Sequence, residues 1–163
     1  EIAAAVRGVF ESEYPLNEHL YTLNALTRCL QKFDGQALED FHTVFDTVWP
    51  ETPEEVLCLA ENLHDFAVVP DISSAEEYGW FLIKTSENLA VDPKLEDCVD
   101  YQKYGQRRIQ EEGGRFGDRG YVAYLGTKPE IRSIMDRNLS ERQMNQSQSQ
   151  KKNTSMEMGG GRL

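Results

Sequence analysis

The sequence predicts an α+β protein in which a central helical bundle, residues 12–88, is followed by a small sheet-plus-helix module, residues 89–126. Three observations predict this class. Apolar residues recur at helical spacing, two capping boxes mark helix starts, and a glycine-punctuated stretch leads into a short run of β-forming residues. Short connections between amphipathic helices favour a compact bundle.

The first two helices are predicted from apolar spacing alone. Asn17 is a suitable N-cap for the first helix, and Asp34-Gly35 resembles a C-terminal stop signal after it. The apolar positions are Leu20, Leu23, Leu26, Leu30 and Phe33 in the first helix, and Leu38, Phe41, Phe45 and Val48 in the second.

The third and fourth helices are predicted from their N-terminal signals. Thr52-Pro53-Glu54-Glu55 is a capping box with proline at the first helical position, and Ser74-Ala75-Glu76-Glu77 is a second capping box. The stretch from Phe66 to Val69 between them is predicted to be extended. The apolar faces are Val56, Leu59, Ala60 and Leu63 in the third helix, and Tyr78, Phe81 and Leu82 in the fourth.

Residues 89–163 change in character. Asp97–Gln110 is predicted as a short helix, residues 113–120 as a glycine-rich turn, and Tyr121–Leu125 as a strand. A further helix is expected over Pro129–Met144 with Ile131, Ile134 and Met135 facing inward, within a basic, polar and partly disordered tail at 127–163. Residues 1–11 are interpreted as a linker or the end of a preceding module, because the chain opens on Glu.

The charge distribution is the most informative feature for function. The net charge is -11, and residues 33–83 contain no Lys or Arg. A strongly acidic body repels nucleic acid and anionic membrane and attracts proteins with basic clefts. The carboxylates in this segment are Asp34, Glu39, Asp40, Asp46, Glu51, Glu54, Glu55, Glu61, Asp65, Asp71, Glu76 and Glu77.

Other chemical signals are weak. The three histidines have no zinc-like spacing, and the glycines at every third position from Gly114 lack the context of a phosphate loop. Adjacent carboxylates at helix starts are explained by the helix dipole. We therefore predict no catalytic residue, metal ligand or cofactor. Three widely spaced cysteines, no membrane-spanning apolar run and no signal peptide predict a reduced, cytoplasmic protein.

Imitation of DNA is one interpretation of the acidic segment; an acidic face that is merely solvated is the other. Helical carboxylates three to seven residues apart stand roughly 4.5–10 Å apart along the helix, so rows on adjacent helices together would present charge at a density comparable with a phosphate backbone, which carries one charge per roughly 1.7 Å of duplex axis. The predicted phosphate-mimicking residues are Glu39, Asp40, Asp46, Glu54, Glu55, Glu61, Asp65, Glu76 and Glu77.

Three stretches of the chain, within roughly residues 1–125, resemble the ArdA-type antirestriction proteins. The first is Leu16-Asn17-Glu18-His19-Leu20 through Leu23-Asn24-Ala25-Leu26. The second is residues 59–72 followed by Glu76-Glu77-Tyr78-Gly79. The third, and most specific, is Cys98-Val99-Asp100-Tyr101-Gln102-Lys103-Tyr104-Gly105, then Gly114 through Gly120-Tyr121-Val122.

The resemblance implies an elongated, acidic homodimer that mimics bent B-form DNA. Members of the family occupy the DNA-binding cleft of type I restriction–modification enzymes without catalysis and are carried by mobile elements. It also implies that this chain lacks the family's N-terminal module. Gln106-Arg107-Arg108 and Gly117-Asp118-Arg119 depart from the family pattern and add positive charge.

Two other functional classes are retained as alternatives. One is an acidic protein–protein interaction module of a mobile element that binds another basic partner; competition by duplex DNA would distinguish it from a mimic. The other is an enzyme that uses Asp100 or Asp118 near the glycine turn, which would have to act in catalytic amounts. Neither direct nucleic-acid binding nor membrane binding is expected.

Overall fold

A computed structural model of the chain describes residues 19–85 and 91–137. These residues have the predicted α+β class and belong to two compact units, Glu1–Thr127 and Lys128–Leu163. The predicted N-cap Asn17, the segment 1–11 and the tail beyond residue 137 lie outside the described residues. In the described ranges no helix is both long and apolar enough to cross a membrane.

The described part of the first unit begins with three helices: α1 (Leu20–Leu30), α2 (Gly35–Val48) and α3 (Pro53–Glu61), of which α1 and α2 both pack against α3. The prediction that Asp34-Gly35 stops α1 is wrong. The Asp34 side chain accepts a hydrogen bond from the backbone N–H of Ala37 (2.8 Å), so it is the N-cap of α2, and Gly35 is the first residue of that helix.

A small antiparallel sheet follows, with strand order β1-β3-β2. Its strands and the remaining helices are, in chain order, a 3₁₀ turn (Leu63–Asp65), β1 (Phe66–Pro70), α4 (Ala75–Thr85), a 3₁₀ turn (Pro93–Cys98), α5 (Tyr101–Glu112), β2 (Arg115–Gly117) and β3 (Gly120–Tyr124).

Two boundaries differ from the sequence prediction. The helix expected from Asp97 begins at Tyr101, because the Asp100 side chain caps it by accepting from the backbone N–H of Lys103 (2.9 Å). The glycine stretch is not only a turn, since Arg115–Gly117 pairs with β3 and leaves a two-residue connection. A strand of three residues next to glycines gives too little β-propensity signal to predict.

The core joins the two predicted segments. Val69 and Tyr78 belong to the predicted bundle and Tyr121 and Ala123 to the predicted small module, yet all four lie in one buried cluster. Pairing of β1 with β3 explains this, because Val69 lies opposite Tyr121 in the sheet. The described parts of the two segments therefore share one hydrophobic core within the first unit.

Helices α4 and α5 pack together through glycine. A Cβ on Gly79 would lie 2.0 Å from the carbonyl oxygen of Tyr101, and one on Gly105 would lie 1.8 Å from that of Ala75. Only glycine permits two helix backbones to approach this closely. This contact fixes where α4, with its acidic first turn, sits beside the start of α5.

In the second unit, residues 129–137 are helical. Ile131, Ile134 and Met135 are buried, as the sequence predicts, and their spacing places them on one helical face. The predicted continuation to Met144 lies outside the described residues.

Candidate partner-binding surface

All nine predicted phosphate-mimicking carboxylates lie in described parts of the first unit, and none is buried. Helix α2 carries Glu39, Asp40 and Asp46, and helix α3 carries Glu54, Glu55 and Glu61. Asp65 ends the 3₁₀ turn before β1, and α4 carries Glu76 and Glu77. The fold therefore presents acidic side chains from successive elements to solvent.

Several of these carboxylates also cap helices, as the sequence predicts. The backbone N–H of Glu55 donates to Thr52 Oγ1 (3.2 Å), and Glu55 Oε2 accepts from the backbone N–H of Glu51 (2.8 Å). In α4, Glu77 Oε2 accepts from both the backbone N–H and the hydroxyl of Ser73 (2.8 and 3.0 Å). Those hydrogen bonds, led by the one from the Ser73 backbone, lower the pKa of Glu77. Both glutamates thus stabilise helix termini.

Glu54 is fixed by contacts with α1. Its Oε1 lies 2.9 Å from Nδ1 of His19 and accepts a hydrogen bond from the hydroxyl of Thr22 (3.3 Å). Partial desolvation acts to raise the pKa of Glu54, but its own backbone N–H and the His19 and Thr22 contacts outweigh it and lower the pKa. The carboxylate is therefore held in a defined place with its charge retained.

Residues 33–83 contain no Lys or Arg, but an arginine from a later part of the chain lies against their surface. Arg119, in the connection between β2 and β3, donates from Nε to Asp46 Oδ2 (3.0 Å), and its Nη1 lies 3.7 Å from Glu39 Oε2. His42 Nε2 also lies 3.3 Å from Asp46. The fold therefore supplies to Glu39 and Asp46 a base, Arg119, that their own segment of sequence lacks.

A second place where charges mix is a groove of about 720 Å³ between α1, α2 and the end of α3. Asp40 and Glu61 line it together with Arg28 and Lys32 of the α1 region. Asp40 additionally accepts a hydrogen bond from Gln36 (2.9 Å). These two carboxylates therefore face basic neighbours that precede the acidic segment in sequence.

The first turn of α4 lies in an acidic region without such basic neighbours among the described residues. Asp71, Glu76 and Glu77 line an open groove of about 620 Å³ with Trp80 and Tyr101, and none of the described residues that line it is a lysine or an arginine. Asp65 lies outside these two grooves and the Arg119 pair, and its Oδ1 is 3.4 Å from Nε2 of His64. The sequence prediction treats all nine acids alike, whereas the fold separates them: Arg119 pairs with two, two share a groove with basic residues, and two lie in the groove at α4.

A buried polar network, which the sequence did not predict, lies beneath α4. Glu112 Oε2 accepts hydrogen bonds from the hydroxyls of Tyr78 (2.7 Å) and Tyr121 (2.8 Å), and Arg108 donates to Glu112 Oε1. Burial, followed by the hydrogen bond to Glu112, raises the pKa of both tyrosines. No motif spacing indicates such a network, because its members come from α4, α5 and β3.

The surroundings of Asp100, Asp118 and Cys29 bear on the enzyme alternative. No group of three or more His, Cys, Asp or Glu side chains in the described ranges is arranged to hold a metal ion. Asp100 is the cap of α5, and Asp118 is an exposed turn residue. Burial, together with the nearby Glu61, raises the pKa of Cys29, which disfavours the reactive thiolate.

No family model matches the chain, and no match was found among curated proteins or among solved structures. The resemblance to ArdA-type antirestriction proteins therefore stays a prediction, carried by the sequence stretches that define it.

Proposed function

We propose that this chain is a non-catalytic inhibitor of type I restriction–modification enzymes that imitates B-form DNA and occupies their DNA-binding cleft. On this proposal it acts in the cytoplasm as a homodimer, with no cofactor. The observation that carries the proposal is the run of nine solvent-facing carboxylates on successive elements from α2 to α4, in a segment without Lys or Arg.

The helical spacing supports the proposal. Glu39 and Asp46 are seven residues apart on α2, and Glu54 and Glu61 are seven residues apart on α3. Two helical turns separate each pair by about 10.5 Å along the axis. The duplex carries a charge every 1.7 Å or so of its axis, counting both strands, so several such helical rows are required to match its charge density.

The proposal accommodates the partial neutralisation by Arg119. This residue pairs with two of the nine carboxylates, and those salt bridges involve side chains that are about a third or more exposed. Exposed pairs of this kind contribute little free energy and are screened by salt. The long-range field around α3 and α4 stays negative, and that field is what steers a basic cleft.

The test compares two variants that have the same net charge. In the first, Glu39, Asp40, Glu61 and Glu76 are all changed to Lys; in the second, Asp97, Glu111, Asp118 and Glu130 are changed to Lys. All eight positions lie in described regions, and only the first set belongs to the nine carboxylates. Binding to a purified type I modification enzyme is measured at low and moderate salt, with and without competing duplex DNA.

We expect the unmodified chain to bind tightly, to lose roughly tenfold or more in affinity between low and moderate salt, and to be displaced by duplex DNA. The first variant should lose inhibition while its circular dichroism spectrum is unchanged, and the second should retain it. Full inhibition by the first variant would sink the proposal. Binding that duplex DNA does not displace would instead support the acidic interaction module.

A further inference from the structure

The groove beside the first turn of α4 is lined by aromatic side chains as well as by carboxylates. Trp80 and Phe81 of α4 and Tyr101, the first residue of α5, contribute to its walls. The Trp80 side chain is 51% exposed, although burial of an indole is strongly favoured. An aromatic ring at the wall of an open groove is a surface on which a ligand can stack.

The carboxylates of this groove determine what kind of ligand fits. Asp71 follows β1, and Glu76 and Glu77 lie in the first turn of α4. Both hydrogen bonds that Glu77 accepts from Ser73 go to Oε2, so Oε1 is not used in them. The groove between α1 and α2, by contrast, contains Arg28 and Lys32 as well as acids. Of these two grooves, the one at Trp80 combines aromatic rings with an acidic lining in which the described residues include no lysine or arginine.

From this charge complementarity we propose that the groove at Trp80 binds an arginine side chain presented by a basic segment of the partner protein. A guanidinium group stacks on aromatic faces and is more weakly hydrated than an ammonium group, and it donates two parallel hydrogen bonds to a carboxylate. An arginine on Trp80 with its donors directed to Glu76 or Asp71 uses both properties. A volume of about 620 Å³ is in the range of binding sites for small ligands.

This inference rests on the proposed function, because a DNA-binding cleft is rich in arginine that contacts phosphate. It adds that one place on the acidic surface recognises the shape of a guanidinium group, whereas phosphate mimicry alone requires only negative charge. The position of Tyr101 beside α4 depends on the close contact of Gly79 with the Tyr101 carbonyl. The same contact that holds the two helices together therefore shapes the groove.

The first experiment uses two blocked pentapeptides, Gly-Gly-Arg-Gly-Gly and the same peptide with citrulline in place of arginine. Citrulline has nearly the shape of arginine but no charge. The indole N–H signals of Trp49 and Trp80 are followed by NMR during titration of the full chain. We expect a saturable shift of the Trp80 signal with the arginine peptide only, and no shift of Trp49. Equal shifts of the two indoles, or equal responses to the two peptides, would overturn the inference.

The second experiment measures binding of the type I modification enzyme to Trp80→Leu and to Trp49→Leu, which removes an exposed indole outside the groove. We expect Trp80→Leu to weaken binding by about fivefold and Trp49→Leu to leave it within about twofold. Equal affinities for the two variants would overturn the inference and leave DNA mimicry intact. A specific peptide response at Trp80 in a chain that does not bind the enzyme would overturn the proposed function and leave the groove assigned to arginine.

Discussion

Replacement of Gly105 by Ala should destabilise the fold, although alanine is the better helix former. The new Cβ would meet the Ala75 carbonyl oxygen at 1.8 Å and the Gly79 nitrogen at 2.9 Å, and real Cβ contacts essentially never fall below 3.0 Å. Both atoms are backbone, so no side chain can rotate away and the helices must separate. Such overpacking costs about 3 kcal/mol, whereas alanine gains about 1 kcal/mol in helix propensity. The expected net loss is therefore about 2 kcal/mol.

The assay is urea unfolding followed by far-UV circular dichroism, with Gly35→Ala as the matched control. Gly35 is also helical, but nothing lies within 4 Å of a Cβ built there, so this change should leave stability equal or raise it by up to about 1 kcal/mol. The double variant Gly79→Ala/Gly105→Ala should cost less than the sum of the single changes, because the first separation relieves part of the second clash. A Gly105→Ala protein as stable as the unmodified chain would refute the close helix contact.

Two further predictions concern the tyrosine network and Arg119. Because the pKa values of Tyr78 and Tyr121 are raised in the folded state, their contribution is complete below the ordinary pKa of about 10 and is lost as pH rises above it. Above pH 10, each tyrosine should add about 1.4 kcal/mol per pH unit to the fall in the free energy of unfolding. Measured by urea unfolding, the free energy of unfolding of Tyr121→Phe should therefore fall less steeply with pH. A slope equal to that of the unmodified chain would contradict the network. Arg119→Ala should tighten enzyme binding severalfold at low salt, because it uncovers two carboxylates. The control is Arg107→Ala, which makes the same change in net charge at an exposed site on α5. Equal tightening by both would mean that only net charge matters.

Local signals predicted the helices well because the physics that starts a helix is local. Thr52 and Ser74 accept hydrogen bonds from the backbone three residues later, as the capping boxes require. Asp34-Gly35 was misinterpreted because aspartate and glycine serve both at helix ends and at helix starts, and the sequence alone does not rank the two roles. The apolar spacing of α2 correctly placed Phe41 and Val48 in the core.

The negative sign of the candidate surface was predictable from the sequence, but the pairing of its carboxylates with basic residues was not. The sequence shows that residues 33–83 contain no base, yet the partner of Asp46 is Arg119, which is 73 residues away. This pairing depends on the antiparallel register of β2 and β3. Because β2 is only three residues long, the sequence does not reveal it, and the register could not be predicted. For the same reason Trp80 and Tyr101 gave no signal of a shared groove until α4 and α5 were placed side by side.

The residues that carry the family resemblance have identifiable roles in folding. Gly79 and Gly105 permit the α4–α5 contact, and Tyr78 and Tyr121 share the partly buried carboxylate of Glu112. A pattern of this kind constrains how the helices and the sheet pack, and it would persist in a chain that had lost its inhibitory surface. Mimicry depends also on where exposed carboxylates lie, and of the nine only Glu61, Asp65, Glu76 and Glu77 fall within the stretches of resemblance. The comparison of two charge-matched lysine variants is therefore the decisive test, because it changes the placement of charge while leaving every packing residue of the motif in place.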